Sequence, residues 1–404
     1  MRIAVLQVGI SGFFPRFYND LLSAAERKGD NVALFVPKNK VNKNHQLHNQ
    51  QLWGTRWNWH VHYHLYRITG IQDVFSIYST WDLIRRLRRY NPDIVHLHVV
   101  NGCVLCMPML VRYLNSRKMR TVWTFHDCRA FTGRCSYFEA IECNRWQTGC
   151  GACPRNDWYA PSLIDNTALE WKIRRKWHSA IENLYIVTPS EWLAGLVRLS
   201  FLKDKPLRVI NNGIDVTEFS KPTCVDIPFW QEMRGKKVVL AVAASWNVYK
   251  GADTIVWLAS HLPDDHLIVV VGRQKGQMSR DLAGKAVCIA YTESKEVLIG
   301  LFQRADVFVN ATITDNFPTV NIESLGAGTP VVTYRTGGSA ECLADGCGLG
   351  VVKGDRMALL QAVLEVTSHP EIFTSEKCIK RAWHFSEKQF DEYVDLYHEM
   401  KDDA

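Results

Sequence analysis

No stretch of this 404-residue chain reaches the roughly 18 unbroken apolar residues that a membrane helix needs. The opening apolar run, Met1 to Val8, stops at Gly9, and no small-residue cleavage site follows it. A signal peptide needs a longer core, so we expect a cytoplasmic protein, soluble or at most peripheral at the inner face of a membrane. Low-complexity tracts and short-period repeats are also missing, which excludes linker-like and solenoid architectures. Hydrophobic content of 47% with 22% charge excludes wholesale disorder. Acidic residues are scarce in one half only. Residues 1–220 hold 29 Lys+Arg against 17 Asp+Glu, whereas residues 221–404 hold 19 against 24. The basic half is suited to an anion: nucleic acid, an anionic membrane surface or a phosphorylated substrate. Arg85, Arg86, Arg88 and Arg89, on a helix expected to begin near Trp81, fit that reading or a solvated helix face.

What is present is strand–helix alternation. Short, nearly continuous apolar runs at 3–8, 32–36, 93–98, 121–125, 184–188 and 207–210 read as parallel strands covered on both faces. The second half repeats the plan at 238–242, 267–271, 287–290, 306–310 and 330–333. Helical patterns at 105–117, 168–182 and 191–202 fall between strands, so the fold class is α/β with two doubly wound, Rossmann-like domains. Pro222, Pro228 and Gly235 punctuate a weakly periodic join. The expected division is 1–220, 221–380 and a C-terminal helix within 381–404 that packs back on the first domain. Residues 38–64, rich in Asn, Gln, His and Trp, read as a loop entering a helix; His45, His48, His60, His62 and His64 there are too irregularly spaced for a metal tract.

The densest chemistry lies in Thr314-Asp315-Asn316-Phe317-Pro318-Thr319-Val320-Asn321-Ile322-Glu323, after one strand and into a helix. Loop amides and a helix N-terminus make a positive pocket suited to a diphosphate. Asp315 and Glu323, with seven residues between them, can accept hydrogen bonds from sugar and ribose hydroxyls on either side of it. Lys250-Gly251 sits at another strand-to-helix junction, where an ammonium can meet a leaving diphosphate. His126 ends the strand at 121–125, at the carboxyl edge where open α/β sheets bind ligands, and Asp127 follows it. Gly9, Ser11 and Gly12 form a loop after the first strand that lacks the full dinucleotide glycine signature.

The segment 315–323 resembles the acidic-x7-acidic motif of family 4 retaining glycosyltransferases, with Asp315 in place of the usual first Glu. Gly337-Gly338-Ser339-Ala340-Glu341, Asn211-Asn212-Gly213-Ile214-Asp215, Thr188-Pro189-Ser190 and Trp123-Thr124-Phe125-His126-Asp127 extend the resemblance along nearly the whole chain. It is particularly close to the group that assembles bacterial capsule and exopolysaccharide of the colanic-acid type. The resemblance implies a GT-B fold, two Rossmann-like domains facing a central cleft, with donor on the second domain and acceptor on the first. It implies His126, Lys250 and Asp315 as catalytic residues. Gly12, Ser245, Arg273, Asn316, Phe317, Pro318, Thr319 and Glu323 become the donor-binding set. In such enzymes Lys250 would work with an arginine five residues earlier, but Ser245 stands there. A serine cannot neutralise a phosphate; Arg273 is either the replacement or a solvent-facing loop residue.

Twelve cysteines are many, and five lie between Cys128 and Cys153. Cys135-x7-Cys143-x6-Cys150-x2-Cys153, in a reducing compartment, suits structural zinc; an iron–sulfur cluster or free buried thiols are the alternatives. The insertion 128–154 would then be pinned beside His126, with Cys128 as a competing ligand and Cys103 and Cys106 in the core. No cofactor is expected for catalysis. The expected partners are a nucleotide-sugar donor, a glycan or lipid-diphosphate-linked acceptor and an anionic membrane surface, and not nucleic acid. A nucleotide-sugar 2-epimerase of the same architecture is a rival reading. A non-enzymatic, basic, zinc-containing binding module is a second, which leaves Asp315, Glu323 and Lys250 unexplained.

Overall fold

The computed structural model describes residues 1–402 except 11, 157–160, 228, 275 and 293, so Ser11 of the first glycine loop and Pro228 of the expected join lie outside it. The chain divides into two compact units, Met1–Asn211 with the residues from Gln389 on, and Asn212–Lys388. The division falls at 211/212 rather than 220/221, because Ile214, Val216 and Phe219 are buried in the core of the second unit. Neighbouring asparagines mark the boundary: Asn211 donates to the Pro189 carbonyl in one unit, and Asn212 to the Phe317 carbonyl in the other. Ala382 and Phe385 belong to the second core, so only the helix Gln389–Asp402 returns to the first unit.

The first unit holds seven strands: β1 (Arg2–Leu6), β2 (Asn31–Pro37), β3 (Gln50–Trp53), β4 (Ile94–Leu97), β5 (Arg120–Thr124), β6 (Leu184–Thr188) and β7 (Leu207–Val209). They are all parallel, in the order β3-β2-β1-β4-β5-β6-β7. The second unit holds six: β8 (Lys237–Ser245), β9 (His266–Arg273), β10 (Ala286–Ile289), β11 (Val307–Asn310), β12 (Val331–Arg335) and β13 (Gly348–Val352). Their order is β10-β9-β8-β11-β12-β13, again all parallel. Each sheet therefore winds outward in both directions from a central pair, β1/β4 and β8/β11, the arrangement in which ligands sit above the strands' carboxyl ends.

All eleven expected strands are present, and β3 and β13 are additional. The segment Gln50–Trp53 is a half-buried edge strand carrying two glutamines, and Gly348–Val352 is an edge strand interrupted by glycine. Edge strands need bury less, so their apolar signal is weak.

The C-terminal helix completes the first unit's core. Phe390, Tyr393, Val394, Leu396 and Tyr397 are buried among Phe14, Phe17 and Tyr18 of the helix Phe14–Arg27. Polar ties add direction: Tyr397 OH meets His96 Nδ1 at 2.6 Å, and Arg120 Nε donates to the Met400 carbonyl at 2.6 Å. Tyr397→Ala should destabilise the first unit by about 3–5 kcal/mol, since an aromatic side chain with no exposed surface is removed. Tyr397→Phe, which loses one hydrogen bond, should cost about 1 kcal/mol. Urea unfolding of both variants gives the comparison, and equal losses would remove the packing argument.

Candidate active site

In the second unit the loops after β8 and β11 are zipped together. The Asn247 side chain accepts from the amides of Tyr249 and Lys250, tightening the turn Val248–Lys250. Tyr249 O accepts from Ile313 N at 2.8 Å and from Thr312 Oγ1 at 3.1 Å. Gly251 has φ 75°, and a Cβ there would lie 2.1 Å from the Ala311 carbonyl oxygen, so only glycine lets the two loops approach so closely. The result is an ion pair across the switch point, Lys250 Nζ to Asp315 Oδ2 at 2.7 Å.

Below this pair, Asp315 Oδ1 accepts from the Asn316 amide, and Asn316 O from Gly338 N at 2.8 Å. Phe317 is buried against Phe385, ring centroids 5.4 Å apart, which pins the loop. Pro318 then opens the helix Thr319–Gly326, whose first turn has no side-chain cap. Its leading amides are thus available to an anion, as helix N-termini are. Glu323 lies half-buried on this helix. A polar lattice missed in the sequence holds the helix from behind. Asn321 accepts from Asn310 Nδ2 at 2.8 Å and donates to Ser339, and Ser339 Oγ meets Thr333 Oγ1 at 2.8 Å. Asparagine and serine inside apolar runs were its only signal.

Ser245 and Arg273 are register partners on β8 and β9, beside a bulge at Val242/Ser245. Arg273 is exposed, at the same carboxyl edge as Lys250. Gly272 permits this bulge, since a Cβ there would lie 1.6 Å from the Ala243 carbonyl oxygen.

In the first unit the loop after β1 is latched by Asn42, a buried residue that sequence reasoning missed. It accepts from Ile10 N and donates to the carbonyls of Val8 and Pro37. Gly12 is exposed with φ 63°, and the next residue, Phe13, lies edge-on to His126 at 5.4 Å. His126 Nε2 meets His98 Nδ1 at 2.9 Å, and His98 packs on His96 at 4.0 Å between centroids. His96 in turn touches Thr124 Oγ1 and Tyr397 OH. A chain of three imidazoles thus runs from the buried C-terminal helix to the carboxyl edge of β5. Burial lowers the His126 pKa to about 4, against the opposing pull of Asp127, and holds His98 well below its usual value. Near neutrality His126 is an uncharged hydrogen-bonding group. Asp127 caps the following turn by accepting from Arg129 N at 2.8 Å.

The expected cysteine ligands lie on the insertion after Asp127, and Cys128, Cys103 and Cys106 are buried in the core. Among the described residues, no group of three or more His, Cys, Asp or Glu side chains is arranged to hold a metal ion. Of the histidines at 45–64, His62 is buried against Ser76. Of the basic cluster, Arg85, Arg88 and Arg89 are exposed, and Arg85 and Arg86 pair with Asp82 of the same helix.

Two doubly wound parallel sheets in one chain, each with its polar loops at the carboxyl edge of the central strands, define the GT-B class of α/β enzymes. The chain belongs to Glycosyltransferase Family 4, whose family model matches residues 16–218, and the model described as Glycosyl transferases group 1 matches residues 236–369. It is a glycosyltransferase. It is 26% identical to WcaC of Escherichia coli (strain K12), a glycosyl transferase assigned to colanic acid biosynthesis, over 81% of this chain and 82% of that protein. Among solved structures it resembles sucrose-phosphate synthase of Thermosynechococcus elongatus, with TM-score 0.70 and 15% identity over 100% of both chains. Anabaena HepE in complex with UDP-glucose matches with TM-score 0.68 and 12% identity, also over 100% of both.

Buried, uncharged histidines make the first unit acid-sensitive. Burial lowers the pKa of His62, His126 and His178 to about 4 and that of His96 to about 3. Between about pH 6.5 and pH 4 the unfolded chain binds protons that the folded chain refuses, so stability falls as pH falls through that window. Each such histidine contributes up to about 1.4 kcal/mol per pH unit. Urea unfolding followed from pH 7 to pH 5 should show a declining midpoint. A flat profile would contradict the assignment.

Proposed function

We propose that this glycosyltransferase moves a sugar, with retention of anomeric configuration, from a nucleoside-diphosphate sugar to a glycan or lipid-diphosphate-linked acceptor in bacterial surface-polysaccharide assembly. The observation that carries the reading is the Lys250–Asp315 pair above the uncapped start of the helix Thr319–Gly326. An ammonium and a row of amides at one switch point suit a departing diphosphate. Asp315 holds the lysine in place until the phosphate's negative charge grows and competes for it. Arg273, register partner of Ser245, supplies the second cation. Glu323 accepts a hydrogen bond from a ribose hydroxyl. Neutral His126 donates or accepts at the transferring sugar without adding charge. The acceptor hydroxyl attacks from the face the diphosphate leaves, and the donor phosphate takes its proton. The relatives support the donor class and the setting: HepE is described with UDP-glucose, and WcaC with colanic acid.

Incubation with a panel of nucleotide sugars, with and without glycan acceptors, tests the reading. Product should require an acceptor, and turnover of donor alone into its 2-epimer would overturn it. Lys250→Ala should lower kcat by at least about tenfold with little change in donor binding, because its charge matters most as the diphosphate departs. Glu323→Ala should weaken donor binding by about 1–3 kcal/mol. Steady-state kinetics and calorimetric titration of donor separate the two effects, and unchanged turnover in the lysine variant would transfer the role to Arg273.

We further propose that the first unit works at an anionic membrane. The helices Arg56–Thr69 and Ile77–Tyr90 begin side by side, Ser79 N donating to Asn58 Oδ1 at 3.3 Å. Trp57, Val61, Ile77, Tyr78 and Trp81 are each more than half exposed, with Arg56 and Lys40 also at the surface. Aromatic side chains amid basic ones suit a lipid interface, to which each nearby cation adds about 1 kcal/mol. No helix among the described residues is long and apolar enough to cross a membrane. Binding to vesicles containing acidic lipid should exceed binding to neutral vesicles and fall with salt. Trp57→Ala with Trp81→Ala should reduce it while leaving donor affinity intact. Equal partitioning onto both kinds of vesicle would refute this placement.

A further inference from the structure

We infer that the first unit carries a second, anion-binding cavity, separate from the one beside His126, that takes a phosphate or diphosphate group of the acceptor. The inference rests on the glycosyl-transfer reading above. The cavity lies at the carboxyl edge of β1, β2 and β3 and measures about 310 Å³, a size that holds small ligands. The segment after β4 parts it from the His126 site: Val99 and Asn101 line the space beside His126, whereas Val104 lines this one. The two cavities therefore flank the β1/β4 switch point, where one acceptor can present a hydroxyl to the first and an anionic group to the second.

Lys38, Lys40 and Arg56 line the cavity, and no described lining residue is acidic. All three are exposed, and among the described residues no carboxylate pairs with any of them. Asp82 reaches the adjoining loop, accepting from Gly54 N at 2.9 Å, but its oxygens already pair with Arg85 and Arg86. Three cations around one hollow, without a counter-charge, set up a positive potential that an anion relieves.

A buried donor points the same way. Trp53 lines the cavity with only 2% of its surface exposed, and its Nε1–H has no acceptor. Buried indole N–H groups ordinarily find one, as Trp59 does by donating to Gly102 O at 3.1 Å. A phosphate oxygen offers Trp53 the acceptor that the protein lacks. The surrounding loops are fixed in advance. Asn42 donates to the carbonyls of Val8 and Pro37, and Asn39 and Thr55 accept from the amides of Asn42 and Asn58. Gly54, at φ 69°, brings its loop so near the next helix that a Cβ would lie 2.7 Å from Ser79 Oγ. Donors held in place lose little freedom on binding. A neutral glycan needs none of the three cations, so the group recognised is a phosphate ester or diphosphate. Its source is a lipid-linked acceptor or a soluble phosphorylated sugar.

The test adds inorganic pyrophosphate, farnesyl diphosphate or glucose 1-phosphate to the full chain without vesicles. Mass spectrometry then reads how fast Lys38 and Lys40 are acylated. At least one of these probes should protect both lysines, whereas farnesol and glucose should not. Lys38→Ala with Arg56→Ala should weaken binding of the protecting probe at least about tenfold, as the loss of two charge-assisted hydrogen bonds implies. Both side chains are exposed, so this variant should fold and should bind nucleotide at the second unit as before. Protection by farnesyl diphosphate and not by glucose 1-phosphate assigns a lipid-linked acceptor, and the reverse assigns a soluble one; either supports the cavity. Lysines that no phosphate probe protects, or that sulfate protects equally well, would overturn it. Glycosyl transfer is measured separately, so its persistence beside unprotected lysines would sink the cavity alone. Protected lysines in a protein that transfers sugar to no acceptor would sink the transfer reading instead.

Discussion

A parallel strand must be followed by a crossover over one face of its sheet. Where consecutive crossovers depart in opposite directions, the loops above the strands' carboxyl ends part. Both units have such a point, between β1 and β4 and between β8 and β11. Backbone amides there have no sheet or helix partner, and the low-dielectric interior below strengthens any charge placed above. Lys250 and Asp315 lie on loops at one of these places, Glu323 on the helix that follows, and His126 after the strand next to β4. The Lys250–Asp315 pair spans one directly, joining the loop after β8 to the loop after β11.

What distinguishes the two switch points is charge. In the second unit the switch point carries the Lys250–Asp315 ion pair and a helix start without a side-chain cap, with the exposed Arg273 at the end of the neighbouring strand. In the first, three imidazoles and aromatic rings gather there, the imidazoles held uncharged by burial. Burial holds the three histidines uncharged, and the C-terminal helix contributes by laying Tyr393 and Tyr397 against His96. A helix far away in sequence therefore helps keep His96, the innermost of the three, uncharged. The neighbouring Arg174, buried with Asp73 and Glu170, supports the same floor by donating to the carbonyls of Arg129 and Thr132. It ties the start of the cysteine-bearing insertion to the body of the unit.

Much of this was legible from the residues in order. Nine of the eleven expected strands lie inside their sheets and announced themselves because parallel strands covered on both faces must be continuously apolar, while the edge strands β7 and β10 kept enough of that pattern to be read. His126 could be placed at a strand end, Lys250 and Asp315 on loops that follow strands and Glu323 on the helix after its loop, because polar groups cannot interrupt such runs. The edge strands β3 and β13 escaped notice because a half-exposed strand tolerates glutamine and glycine. Asn42, Asn310 and Asn321 escaped because an asparagine looks alike whether it faces water or satisfies three buried backbone groups.

Periodicity and turn chemistry act over a few neighbouring residues, so the class of fold, the two-part organisation and the residue types available at each loop are written locally in the chain. Only the tertiary structure decided which of those residues meet. That Lys250 reaches Asp315 and that Arg273 stands beside Ser245 each follow from register and loop approach. The boundary at 211/212 was decided the same way, by Ile214 and Phe219 packing beneath Gly326, where anything larger than glycine would crowd them. Such contacts depend on segments far apart along the chain, whose approach is set by packing the whole core and not by any local pattern.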